Sequence, residues 1–252
     1  MATLDSSKAM IIINADDWGR SQAETDAALA CLRQGRVTSV SAMVFMEDSG
    51  RAAELAKEHG VDVGLHFNLS QSYNGGLPSA AAAAAHGRIA RFMTRSKYAV
   101  LVYRPELRKH FRVVFQSQWD EFVRLYGKPP SHVDGHQHRH LCANVLFGDV
   151  IPRGQKVRRN FSFWPGEKSA ANRACRRLMD GSLARRYRLT DHFFSLGQCL
   201  QNNRISRVVD TAQKSSVELM TLPVRIEEKD WLLSDAFSEA MRGLRLIPYA
   251  LL

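Results

Sequence analysis

Short apolar runs rich in β-branched residues alternate with helix-patterned stretches along almost the whole chain, and this alternation restricts the fold more than any other feature. "MIIIN" at 10–14 reads as a buried strand. Ser21 and Glu24 then have the Ser-x-x-Glu spacing of a capping box, and Gly35 ends the helix they open. "VTSVSAMVF" is a second β-rich run, a helix follows over 48–59 up to Gly60, and "VDVGLHFNL" is the next strand. Pro105 suits the first turn of a long helix to Tyr126, stopped by Gly127 and the Pro129–Pro130 pair. "SHVDGHQH" is strand-like, with a helix from Leu141 onward. Later strands are expected near 156–159, 192–196 and 244–249 and at "VELMT", with helices over 205–213 and 234–242. Residues 70–90 hold "GGLP" and six consecutive alanines at 80–85 and read as an insertion or mobile loop with room for a helical piece. No internal repeat and no linker divides the 252 residues. Repeated βα units over one domain of this length favour a (β/α) barrel or a doubly wound sheet.

Both architectures place ligands at the carboxyl ends of the strands. Asp16 and Asp17, His66, and the cluster His136, His138 and His140 all fall at such ends. Taken singly, each has a bland account. An Asp-Asp pair after a strand is commonly a turn or a helix cap, and a lone strand-end His is commonly a hydrogen-bonded core residue. "HVDGHQHRH" resists that account, with four His in nine residues. Alternation places His132, Asp134, His136, His138 and His140 on one side, were the strand to continue that far. One Asp and two His drawn from three strand ends make a 2-His-1-carboxylate site with open positions. Such a site suits a divalent cation acting as a Lewis acid, zinc or magnesium for hydrolysis.

In that order, "NADDWG", "VTSVSAMV", "GLHFNLS", "HVDGHQHRH" and "VELM" resemble the YdjC-like carbohydrate deacetylases, the family that includes chitooligosaccharide deacetylase. The resemblance runs from about Ile11 to Tyr249 and is loose over 155–200. It implies a deformed (β/α) barrel of TIM-barrel type and metal-dependent hydrolysis of N-acetyl groups on amino sugars. Carried over, it assigns one divalent metal ion, Mg2+ or Zn2+, to Asp17, His66 and His136, and the catalytic base to Asp16. The family has a His-Pro pair after the Glu-Leu-Met strand, but this chain reads "VELMTLPV", with Leu222 at the His position. A leucine transfers no proton, so either His138 or protonated Asp16 serves as the acid, or hydrolysis is impaired and the protein binds metal and glycan. Phosphoester cleavage is a minor third reading, because barrel and metal site alone do not exclude it.

The formal net charge is +10, and Arg153–Arg188 carries eleven Lys/Arg against Glu167 and Asp180. Such a run is ordinarily a solvated helical face. The sharper reading is a surface for an anionic glycan or for lipid headgroups, with peripheral membrane contact and a charged or lipid-linked N-acetylated sugar as substrate. No nucleic-acid partner is expected, since no binding motif accompanies the charge. No apolar run approaches the ~20 residues of a membrane helix. "MATLDSSKAM" lacks the pattern of a signal peptide, and Cys31, Cys142, Cys175 and Cys199 form no Cys-x-x-Cys pair. A cytoplasmic location is therefore expected. The oligomeric state is open, with a homodimer compatible.

Overall fold

Strand β1 (Met10–Trp18) is buried over all but its first residue, as a central parallel strand with neighbours on both faces must be. The computed structural model describes residues 9–252, so the N-terminal reading of residues 1–8 lies outside it. Helix α1 (Gln22–Arg33) crosses to β2 (Ser39–Ala42), α2 (Ser49–Glu58) to β3 (Val63–Phe67), and α3 (Ala80–Thr94) with α4 (Arg108–Tyr126) to β4 (Val133–Gly135). After α5 (Ala143–Gly148) and α6 (Ala170–Ala184) come β5 (His192–Ser195), α7 (Leu196–Gln201), α8 (Ile205–Ala212) and β6 (Ser216–Thr221). Helices α9 (Ile226–Leu233) and α10 (Asp235–Ala240) precede the two-residue β7 (Arg245–Leu246).

The sheet runs β4-β3-β2-β1-β6-β5, with β7 also beside β1, and every pairing is parallel. All carboxyl ends therefore meet at one rim. The sheet curls into a deformed barrel, and no regular ladder joins β4 to β5. Residues 156–162 span that gap. Val157 bridges Val133 of β4, Lys156 bridges Arg188, and the Ser162 amide donates to the Phe193 carbonyl of β5 at 2.8 Å. The short strand expected at 156–159 is thus a seam of isolated bridges. Its backbone direction points Arg158 inward.

Several local readings are corrected. The Ser21 hydroxyl is engaged by the Glu24 carboxylate and makes no capping bond to the backbone, so the reciprocal box does not form. The alanine run lies inside α3, opened by Ser79 Oγ accepting from the Ala82 amide, and this helix packs on α4. Helix α4 buries Phe111, Val114, Phe115 and Phe122, each worth about 1.5–3 kcal/mol when removed from water. It ends at Gly127, whose φ of 70° is the left-handed conformation that glycine adopts without strain. Helices α7 and α9 have no counterpart in the sequence reading, whereas α6 lies within the basic stretch read as a helical face.

Gly64 allows the close approach of β3 to β4, because a Cβ there would run into the His132 ring. His132 is itself fixed by Ser41 Oγ at 3.0 Å and by stacking on Tyr249 at 3.8 Å. Gly64→Ala is expected to destabilise the fold by roughly 1–3 kcal/mol, the scale of overpacking a close-fitted core. An unchanged thermal midpoint would show that His132 can move aside freely.

Candidate active site

The two adjacent carboxylates owe their different surroundings to a bulge. The β1–β2 register shifts between Ala15 and Trp18, and Asp17 sits at φ 64°. Aspartate tolerates this left-handed conformation better than most residues, and a bulge re-aims side chains. Asp17 Oδ1 faces two imidazoles, His66 Nε2 at 3.3 Å and His136 Nδ1 at 3.0 Å. Its other oxygen accepts from Arg20 at 3.0 Å. Asp16 turns instead toward Arg158, which grips it bidentately with both bonds at 2.7 Å.

Arg158 is fully buried and serves three carboxylates. Besides Asp16 it contacts Asp134 Oδ2 at 2.7 Å and Glu218 Oε1 at 2.7 Å. Asn14 donates to Asp16 at 3.0 Å and to Ser41 at 2.8 Å, and Ser41 donates to Asp134 at 2.8 Å. Tyr249 donates to the second oxygen of Glu218. Burial alone would raise every one of these acids. Arg158 and His66 outweigh it at Asp134, which is held well below the usual carboxylate range, whereas Asp16 stays above its ordinary value. Glu218 is pushed up to about 7 by burial, against the opposing pull of Arg158.

His66 joins this network to Asp17. Its Nδ1 lies 2.8 Å from Asp134 Oδ1, which orients the ring and presents Nε2 to Asp17. Burial lowers its affinity for a proton, but Asp134, Asp16 and the hydrogen bonds to Asp134 and Asp17 prevail and raise it to about 10. Asp17 is correspondingly driven well below the usual carboxylate range, its hydrogen bonds to His136 and His66 overcoming burial. The pocket therefore favours a cation.

Among the described residues, two buried groups offer three donors within 4.8 Å of one another: Asp17, His66 and His136, and Asp16, His66 and Asp134. The second already has a cation, because Arg158 bonds both of its carboxylates. In the first, only the outer oxygen of Asp17 meets a guanidinium, that of Arg20. Asp17, His66 and His136 fit a divalent ion by donor type, by convergence and by the field around them.

The His-rich run divides its labour. His136 follows directly on β4, but Gln137 and His138 are left-handed, at φ 55° and 56°, so the expected alternation through His140 breaks there. His140 Nε2 reaches the Arg158 carbonyl at 3.0 Å and braces the seam. His138 packs edge-on against Phe161, with ring centroids 4.4 Å apart. Burial first, and then Arg158, keep its pKa well below the usual imidazole value, so it stands neutral, with Nδ1 unpartnered among the described residues. A cavity of about 440 Å³ collects Asp16, Asp17, His66, His136 and His138, together with Leu222, Arg225 and Gln198. Leu222 thus faces the same space, its amide held by the buried Glu228 at 2.9 Å.

The profile of the YdjC-like protein family matches residues 10–243. The chain belongs to that family. Relatives include chitooligosaccharide deacetylase of Proteus mirabilis, 34% identical over 140 residues, covering 54% of this chain and 52% of the relative. The human carbohydrate deacetylase is 31% identical over 144 residues, covering 56% of this chain and 45% of that protein. The matches thus span about half the length of these curated relatives. A crystal structure from Enterococcus faecalis V583, named a candidate cellobiose-phosphate cleavage protein, superposes with a TM-score of 0.66 at 18% identity. It covers 96% of this chain and 98% of its own, and that likeness is one of fold.

Asp134, Glu218, Tyr249 and Arg158 were not singled out as site residues from the sequence of this YdjC-like chain. Arg158 is also the clearest correction to the reading of 153–188 as a solvated face. Arg158→Met should cost about 3–5 kcal/mol in urea denaturation, the penalty for leaving buried charges without a partner. A loss below ~1 kcal/mol would show that the carboxylates do not depend on this guanidinium.

Proposed function

We propose that this YdjC-like chain removes N-acetyl groups from an amino sugar within an oligosaccharide or glycoconjugate. The observation that carries the reading is the convergence of Asp17, His66 and His136 beside Asp16 in one cavity. The deacetylase names of its curated relatives support the substrate class.

Asp17, His66 and His136 would hold one divalent ion, zinc or magnesium. Bound there, such an ion would supply Lewis-acid polarisation of the acetamide carbonyl. Asp16 acts as the base. Arg158 and Asn14 fix its carboxylate, and burial raises its basicity above that of an exposed aspartate. It accepts the proton of the attacking water and, once protonated, is placed to return it to the leaving amine. His138, held neutral, orients groups in the cavity by hydrogen bonding and carries no additional proton at neutral pH. No helix among the described residues is long and apolar enough to cross a membrane.

A second reading rests on Leu222. This side chain lines the cavity, at the position where the resemblance to the family implies a His. On that reading the site binds metal and glycan with little turnover.

Metal titration tests the first half of the proposal. His66→Ala and His136→Ala should lose stoichiometric zinc or magnesium while keeping the wild-type circular dichroism. Binding must displace the His66 proton, which is held up to about pH 10. Affinity should therefore rise with pH, by up to about tenfold per unit below that value, and fall on acidification. Metal content unchanged in both variants would refute the ligand set.

Acetate release from N-acetylated oligosaccharides tests the second half. Asp16→Asn should lower turnover by at least ~100-fold with the metal retained. Wild-type turnover that Leu222→His leaves unchanged or lowers supports the hydrolase reading. Negligible wild-type turnover that Leu222→His raises supports the binding-protein reading.

A further inference from the structure

Charge is divided very unevenly over this chain. Residues 88–109 and 153–188 together hold 18 Lys/Arg and three Asp/Glu, a net of +15, which leaves the remainder of the chain at −5. The fold brings the two segments together. Val100 and Leu101 from the first line a cavity of about 420 Å³ with Arg159, Cys175, Arg176 and Met179 from the second. Arg88, Arg91 and Arg95 line a second cavity together with Arg104, on and after helix α3, which packs against the Ala99–Leu101 turn, and Arg173 and Arg177 stand on α6. Of these six, Arg104 alone has an ion pair among the described residues, with Glu106 at 3.1 Å. Surface arginines of a chain with 25 acidic residues ordinarily find some partner. Of the acids, only Glu106 and Asp180 line these cavities.

The same region is also apolar. Six of the ten large hydrophobic side chains exposed among the described residues belong to it: Tyr98, Leu101, Val102, Tyr103, Phe147 and Leu178. Leu101, Phe147 and Leu178 are 69%, 69% and 76% exposed. Tyr103 and Phe147 pack edge-on with centroids 6.3 Å apart, and Leu101 sits on a short 3-10 turn. Leu178 lies on α6, whose Cys175 and Met179 line the shared cavity. Apolar residues scattered singly need no account, but a cluster rimmed by cations marks an interaction surface.

We propose that this face docks on a bilayer containing anionic phospholipids. Unpaired arginines meet the negative surface potential, tyrosines suit the headgroup level, and the aliphatic and phenylalanine side chains enter the acyl boundary. A polynucleotide or soluble polyanion would neutralise the arginines and leave Leu101, Val102 and Leu178 in water. The docking face also adjoins the catalytic cavity, since Gln137, His138 and Phe161 line both that cavity and the one holding Leu101. Docking therefore brings the mouth of the site to the membrane, where an amino sugar carried on a lipid would be presented. This last consequence rests on the deacetylase reading; the docking does not.

Co-sedimentation with vesicles tests the proposal without any turnover. Wild-type protein should bind mixed phosphatidylcholine–phosphatidylglycerol vesicles at low ionic strength and not bind phosphatidylcholine vesicles. Each arginine removed should weaken partition about fivefold, so Arg88→Gln, Arg91→Gln and Arg95→Gln combined should weaken it by about two orders of magnitude. Leu101→Asp with Leu178→Asp should abolish vesicle binding while retaining binding to heparin and the wild-type thermal midpoint. Should that pair lower the midpoint, Leu178→Asp alone gives the same readout from the more exposed position. Absence of wild-type binding to phosphatidylglycerol vesicles would overturn the proposal. So would undiminished vesicle binding by the aspartate variants, because charge alone would then explain it and any polyanion would serve.

Discussion

A single buried guanidinium holds this site together. Arg158 lies among Asp16, Asp134 and Glu218, at 2.7 Å from each, with no exposure to solvent. Burying a carboxylate without a partner costs several kcal/mol, so three such groups are tenable only around a shared cation with their remaining lone pairs satisfied. Ser41, Asn14 and Tyr249 supply those further bonds. One positive charge does not balance three carboxylates, and Asp17 adds a fourth close by. The excess negative potential is what holds a proton on His66. It also makes the space between Asp17, His66 and His136 electronegative. The structural core and the cation preference have one electrostatic origin.

Arg158 reaches this position because the sheet does not close with a regular strand. Residues 156–162 fill the gap between β4 and β5, and their few bridges fix the backbone from which Arg158 enters the interior. His140 donates from Nε2–H to the Arg158 carbonyl. Two neighbours in the His-rich run thus do unlike things: His136 faces Asp17, while His140 secures the seam behind it. The left-handed pair Gln137 and His138 makes this division geometrically possible, since it reverses the chain between them.

Parallel α/β architecture was readable from alternation alone, because buried parallel strands must be apolar and their crossovers amphipathic. Asp16, Asp17, His66 and His136 stood out because polar residues at the ends of such strands require a reason. Arg158 did not stand out. It sits in a run of eleven basic residues, where one buried guanidinium has the same letter as eight others. Its signal lay in the acids. Asp134 and Glu218 occupy strand positions flanked by apolar residues, and two buried carboxylates call for a buried cation somewhere in the chain. The bulge at Asp17 was hidden for a different reason: it depends on the register between β1 and β2, a nonlocal property. Helix α6 falls within the basic stretch read as a solvated helical face, and it does expose most of its length, but its ends were not legible there.

Residues 155–200, where the resemblance to the YdjC-like family is loosest, therefore perform two physically separate tasks. The inner side of the segment is constrained by charge pairing: Arg158 must meet three carboxylates, and Arg159 meets Asp180 at 2.7 Å. The outer side bears no such constraint, and there Arg173, Arg176 and Arg177 stand without an acidic partner among the described residues. Phe161 links the two sides, lining the cavity of Asp16, Asp17 and His66 and both of the neighbouring cavities that α6 covers. Substitutions on the outer face can accordingly change what approaches the site without disturbing the ion network behind it. The same segment that completes the barrel is thus free to set what the barrel meets.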